Sequence, residues 1–279
     1  MNTLAFCAVV AAASFCAGFL GSLTGLGGGV VVVPLLTLVF GADIRYAIGA
    51  SLVSVIATSS GAAAAYVKEG FTNLRIGMLL EVATTIGALV GATLVSVISG
   101  NVIAVIFGLV LLQSAYLASR PRSDRATEDL APDRLATELK LDSTFPTEHG
   151  EVRYHVYHVP GGFALMWVAG VLSGLLGIGS GAVKVLAMDQ VMLMPFKVST
   201  ATSNFMIGVT AAASAGIFLH RGYVVPGLAM PVMLGVLAGS MVGARLLFRM
   251  PTRQLRILFA VVIVALALEM IYHGLAGKM

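Results

Sequence analysis

Charge is scarce in this chain of 279 residues: Asp, Glu, Lys and Arg together make up 11% of it. Soluble domains carry about 25%, so a water-facing surface could not be covered with polar groups. That excludes an ordinary soluble enzyme and a disordered chain. Cysteine is scarcer still. Cys7 and Cys16 are the only two, too few for a disulfide scaffold, and both read as reduced core thiols. The short alternating segments of a β-barrel are missing as well. What is present is 58% hydrophobic residues and a mean hydropathy of +0.96, gathered in long runs. The fold class that remains is an all-α polytopic membrane protein. The net charge of +4 is ordinary loop bias in such a protein, so the bilayer is an expected partner and nucleic acid is not. No basic residue precedes the first apolar run, and Phe15 before Cys16 spoils a lipoprotein cleavage site. The run is therefore read as a retained membrane helix.

The few charges are unevenly placed. Eight of the thirteen acids (Asp124, Glu128, Asp129, Asp133, Glu138, Asp142, Glu148 and Glu151) fall between Arg120 and Pro160. This polar stretch divides the chain into a first membrane repeat, 1–119, a cytoplasmic linker, 120–159, and a second membrane repeat, 160–279. His155 and His158, with His149, fall short of a metal site and read as a solvated linker strand. No metal and no cofactor is expected.

The two halves match at a constant offset of 152 residues. Gly18–Gly29 aligns with Gly170–Gly181, Ser51 with Ser203, Thr58 with Thr210, and Gly70 with Gly222. Gly87 and Gly91 meet Gly239 and Gly243 on small-xxx-small helix faces suited to close packing. Internal repeats are the usual construction of secondary transporters.

A helix needs about 20 apolar residues to cross the bilayer. The spans expected are 3–24, 44–67, 73–98 and 101–119, then 161–178, 198–219, 224–248 and 254–275. Each half also has a short apolar piece, Val30–Phe40 and Ala182–Met194. If these pieces cross too, each half has five segments and the repeats are inverted. Arg249, Arg253 and Arg256 then share the linker's side, as the positive-inside rule prefers. Inverted repeats are the expectation.

The pieces follow two glycine clusters, Gly25–Gly29 and Gly177–Gly181. Glycine costs about 1 kcal/mol in a helix interior, so each cluster should break its helix. At membrane depth, irregular backbone is tolerated only inside protein or beside a watery cavity. A half-helix starting there points free N–H groups and a partial positive charge at an anion. Gly27, Gly28, Gly29, Gly179, Ser180 and Gly181 are therefore candidate anion-binding residues. Neither cluster is a nucleotide loop. Ser180 does not read as a protease nucleophile: Ile178 occupies the position where Gly-x-Ser-Gly needs glycine, and no His lies at a span centre.

Lys184 is the sharpest polar residue inside an apolar run, and intramembrane charges mark substrate and ion pathways. It is a candidate anion ligand, with Asp189 a candidate for setting its protonation. Ser199 or Thr200 is expected to cap the next helix. Ser203 and Asn204, a turn deeper, and Ser51 in the first half could donate to oxyanion oxygens. Asp189, Glu81 and Glu269 are candidate carriers of a coupling ion.

These residues resemble the TauE/SafE family of sulfite and organosulfonate transporters, also called the toluenesulfonate uptake permease family. The motifs that carry the likeness are Gly25-Leu-Gly-Gly-Gly-Val-Val-Val-Val-Pro34, the Ala50-Ser51 helix start and Ala201-Thr-Ser203. The second half departs from the family pattern, with Lys184 and no proline after its cluster. The resemblance implies a multi-pass protein of the bacterial inner membrane that exports a small sulfur-containing anion. A coupled importer, and a membrane subunit or scaffold of a larger complex, are the alternatives. A homo-oligomer is compatible with either, and an enzyme is not expected.

Overall fold

The computed structural model describes residues 3–22, 29–68, 70–119, 133–147, 150–247 and 252–277. The helices are α1 (Thr3–Ser22), α2 (Gly29–Pro34), α3 (Ile44–Lys68), α4 (Leu74–Leu94), α5 (Gly100–Ser119), α6 (Arg134–Glu138), α7 (Val159–Leu176), α8 (Gly181–Leu186), α9 (Phe196–His220), α10 (Pro226–Leu247) and α11 (Thr252–Leu275). One hairpin, β1 (Ser143–Thr147) and β2 (Gly150–Tyr154), pairs Ser143 with Tyr154 and Thr147 with Gly150. α4, α7 and α9 are long and apolar enough on their described residues to cross a membrane.

Each short apolar piece is a helix that loosens into a π turn, α2 into Leu35–Val39 and α8 into Ala187–Val191. Pro34 precedes the first π turn, but Leu186 holds the matching place before the second. The wider turn therefore does not depend on proline. Thr37 helps hold the first one by donating to Val33 O at 2.9 Å.

Helices pack in pairs: α1 with α10, α4 with α7, α5 with α11, and α3 with α9. Glycine brings backbone against backbone at these seams. A Cβ on Gly87 would run into the Trp167 carbonyl, and one on Gly239 into the Phe15 carbonyl. Gly18 meets Val236 and Gly170 meets Thr84 in the same way. Such approaches are the membrane substitute for hydrophobic association, which lipid does not supply.

Contacts fix the relative directions of the helices. Gly49 lies against Tyr223 and Gly208 against Ser59, so α3 and α9 run antiparallel. Gly108 against Ile271 and Gly274 against Asn101 make α5 and α11 antiparallel too. α1 runs parallel to α10, and α4 to α7.

The linker is more folded than its composition suggests. Leu141, Tyr154 and Val156 are buried in a cluster with Ile76, Leu80, Met188 and Met192. Asn73, at the start of α4, is the anchor. Its Oδ1 accepts from Ile76 N at 3.2 Å and caps the helix, while its Nδ2 donates to Leu141 O and to the Tyr154 hydroxyl. Tyr157 N adds a bond to Met192 O. The stretch expected as a solvated strand thus has a buried face. The imidazole of His155 lies 3.0 Å from Asp142, and the described residues hold no cluster suited to a metal.

Candidate functional site

The second glycine cluster breaks the chain as its composition requires. α7 ends on Gly177 at φ 67°, Gly179 follows at φ 72°, and Ser180 at φ 46° starts α8. All three lie in the left-handed region, which glycine enters freely and serine only at a steric cost. Gly25, Gly27 and Gly28 of the first cluster lie outside the described residues. Gly29 is the first residue of α2 and is buried.

Ser51 ties the start of α2 to the end of α7. Its hydroxyl lies 2.9 Å from Gly177 O and 3.5 Å from Gly29 O, and donates principally to the nearer. Ser203, its counterpart on α9, approaches Gly181 O at 3.4 Å. Beside this junction is a cavity of about 10 Å³, lined by Val30, Val110, Ser114 and residues 178 and 180–183. That is room for about one water, so an anion would enter only if the broken segments parted. The Ser180 hydroxyl lines the cavity, is buried, and has no hydrogen-bond partner. A buried polar group left so costs about 1–3 kcal/mol.

Lys184 is fully buried, at 0% exposure, on the helix that lines this cavity. Its ammonium turns away from the cavity and donates to Thr210 Oγ1 at 2.6 Å. The Thr210 hydroxyl lies 2.7 Å from Glu81 Oε1 and donates to it. Thr85 gives the same oxygen a second bond at 3.1 Å. Lysine on α8, threonine on α9 and glutamate on α4 thus form one relay inside the bundle. Glu81 is 8% exposed, and its other oxygen, Oε2, is buried without a partner.

The remaining candidates are spread out. Asp189 is half-buried on the π turn beyond Lys184 and accepts from Gln190 at 3.3 Å. Glu269 lies on an exposed face of α11. Asn204 donates back to Thr200 O at 3.1 Å on its own helix. Ser199 and Thr200 do not cap α9, which starts at Phe196 with Pro195 as its cap position. They are its fourth and fifth residues, and their hydroxyls are buried and unpartnered. The partnership of Lys184 with Glu81 was hidden in the sequence because 103 residues separate them. The shared hydroxyl, Thr210, stands out in the sequence only as the repeat-mate of Thr58.

Comparison with known proteins finds similarity along most of the chain. The family model "Sulfite exporter TauE/SafE" matches residues 10–270. The chain is 30% identical over 268 residues to the probable membrane transporter protein YunE of Bacillus subtilis, covering 93% of this chain and 95% of that one. It is 26% identical to the probable membrane transporter protein ORF9 of Sinorhizobium sp, over 97% of this chain and 95% of the relative. No solved structure matches.

Proposed function

The chain belongs to the TauE/SafE sulfite exporter family, and from that premise we propose that it is a secondary transporter carrying sulfite or an organosulfonate out across the bacterial inner membrane. The observation that carries this reading is the meeting of the start of α2 with the end of α7 at Ser51, Gly29 and Gly177, beside a small cavity with an unpartnered serine hydroxyl. Gly179, Ser180 and Gly181, with the cluster at Gly27, Gly28 and Gly29, would give the anion backbone N–H groups. Ser51, Ser203 and Asn204 would give it side-chain donors once their present bonds open. Lys184, one residue beyond the cavity lining, would supply the charge by swinging its ammonium from Thr210.

Alternating access in this reading comes from inverted repeats spanning 1–119 and 160–279. The recurring contacts support it. Gly18 on Val236 and Gly170 on Thr84 are the same pair at the 152-residue offset, and so are Gly239 on Phe15 and Gly87 on Trp167. Equivalent helices α3 and α9 run in opposite directions, as do α5 and α11. The linker end gathers Arg75 and Lys197, which favours the cytoplasmic side for it. With the inside negative, each net negative charge moving outward gains about 2.3 kcal/mol per 100 mV. Export therefore needs no ATP.

The test is flux by the purified chain in proteoliposomes loaded with sulfite, taurine, sulfoacetate or thiosulfate. Potential-driven efflux of one or more is expected, and Lys184→Met should abolish it while the protein stays folded. Transport of none by the wild type would overturn the reading. A cysteine at Arg253 should react from the linker's side only; labelling from the opposite side would refute the inverted arrangement.

A further inference from the structure

Resting on that reading, the buried relay says what accompanies the anion. Lys184 cannot serve two partners. Its ammonium is held through the Thr210 hydroxyl by Glu81, and both charged groups are inside the bundle. An anion that takes the ammonium leaves the carboxylate behind. No other cation faces Glu81 among the described residues. α7 carries no titratable residue between Val159 and Leu176, and α8 carries Lys184 alone. On α9, Lys197 and His220 sit at opposite ends, and the phenol of Tyr154 lies at the linker contact. Arg75 on α4 donates to Lys140 O at the same end, and Asp189 beyond α8 is another acid. A carboxylate stranded at that depth does not stay ionised; it neutralises instead.

We propose that Glu81 is a proton-binding site coupled to the anion site: as the substrate draws Lys184 away, Glu81 takes up one proton, and the two cross the membrane together. The proton goes to Oε2, the oxygen free of hydrogen bonds, while Thr210 and Thr85 keep Oε1. On release of the anion, Lys184 returns to Thr210 and the proton leaves. Only one proton changes hands, and no bond other than its own is made or broken. A divalent anion with one proton still carries one negative charge, so outward movement still gains from the potential.

The experiment uses the full chain in liposomes with sulfite at alkaline pH, where sulfite is a dianion and leaks little. An internal pH indicator counts protons while a potassium diffusion potential clamps the voltage, and protein-free liposomes give the baseline. About one proton leaving with each sulfite is expected, together with at least a tenfold loss of proton movement per anion in Glu81→Gln. Sulfite efflux without protons in the wild type overturns the coupling and leaves the transporter reading standing. Absence of sulfite efflux overturns sulfite as the substrate and this inference with it. The double variant Glu81→Gln, Lys184→Met removes both charges together and so guards against misfolding from a stranded ion. It should fold and move neither sulfite nor protons; sulfite movement by it at the wild-type rate would also overturn the proposal.

Discussion

The two short segments, α2 and α8 with their π turns, share a backbone form and differ in charge. α2 and α8 have the same length, pass into π turns at the same point, and each lies within reach of a serine seven residues into the helix that follows it. Inside that shared frame, Val32 stands where Lys184 stands, and Met233 where Glu81 stands, at the 152-residue offset. Thr58 matches Thr210, but its hydroxyl bonds back to Ser54 O and Val55 O of its own helix, whereas Thr210 bridges two charges. Close packing therefore recurs at matched positions of the two halves, while among the described residues the buried charges, Lys184 from one half and Glu81 from the other, meet at only one of the two matched places. A frame made of glycine contacts can be kept on both sides because it costs nothing in desolvation. A buried ammonium costs several kcal/mol unless paired, and its pair comes from a helix of the other half.

The frame is broken most severely at its seams. Gly87→Leu and Gly239→Leu each force a side chain into a neighbouring carbonyl, and helices cannot part without losing the whole seam. Both should abolish monodisperse, folded protein in detergent, and to the same degree. A variant that folds normally in one half and fails in the other would break the equivalence.

The charge asymmetry can be transplanted. Val32 is fully buried, so Val32→Lys places an ammonium at the position that matches Lys184, with Met233 matching Glu81. An unpaired buried charge of this kind costs about 3–5 kcal/mol, seen as a large drop in thermal stability. Adding Met233→Glu, with Thr58 already in place, should recover much of the loss. If the double variant is no more stable than the single one, the two halves are not equivalent at these positions.

A finer comparison concerns the two serines. Ser51 binds Gly177 O at 2.9 Å and approaches Gly29 O at 3.5 Å, whereas among the described residues Ser203 reaches only Gly181 O, the repeat counterpart of Gly29, at 3.4 Å. Ser51→Ala should cost about 1–1.5 kcal/mol, the usual worth of a good hydrogen bond, and Ser203→Ala a fraction of it. Chemical denaturation of the two variants side by side measures the difference, and equal losses would remove Ser51 as the tie between α2 and the end of α7.

These contrasts also mark what the sequence could disclose. Ten apolar segments were legible with their ends near the observed ones, because hydropathy and glycine punctuation act locally. The break at Gly177–Gly181 was legible for the same reason. The partner of Lys184 was not: periodicity carries no information on which helices become neighbours, and Asp189, five residues along, was the nearest acid in sequence. The expected cap at Ser199 or Thr200 failed because α9 begins earlier, after Pro195, whose fixed φ starts a helix without a side-chain cap. The linker's buried face was masked by its charges. Tyr154 and Val156 alternate with Arg153 and His155, a pattern of period two too short to stand out from the acids around it.

The linker sets a last and smallest contrast, between an interface that water reaches and an interior it does not. Burial pushes the Tyr154 phenol up to about 12, against an ordinary value of 10.0. A raised pKa means that docking prefers the protonated phenol. Its contribution is therefore complete below pH 10 and is lost as pH climbs through the docked value. The hairpin should come away from Asn73 in that window while the membrane helices keep their contacts. Protease cleavage of the linker, followed against pH, reads this directly. Tyr154→Phe gives up the bond from Asn73 and with it about 1 kcal/mol of docking at neutral pH, but it also removes the phenolate. Its cleavage should rise slightly at pH 7 and lack the wild-type increase above pH 10. An alkaline increase that survives in Tyr154→Phe would place the titrating group elsewhere.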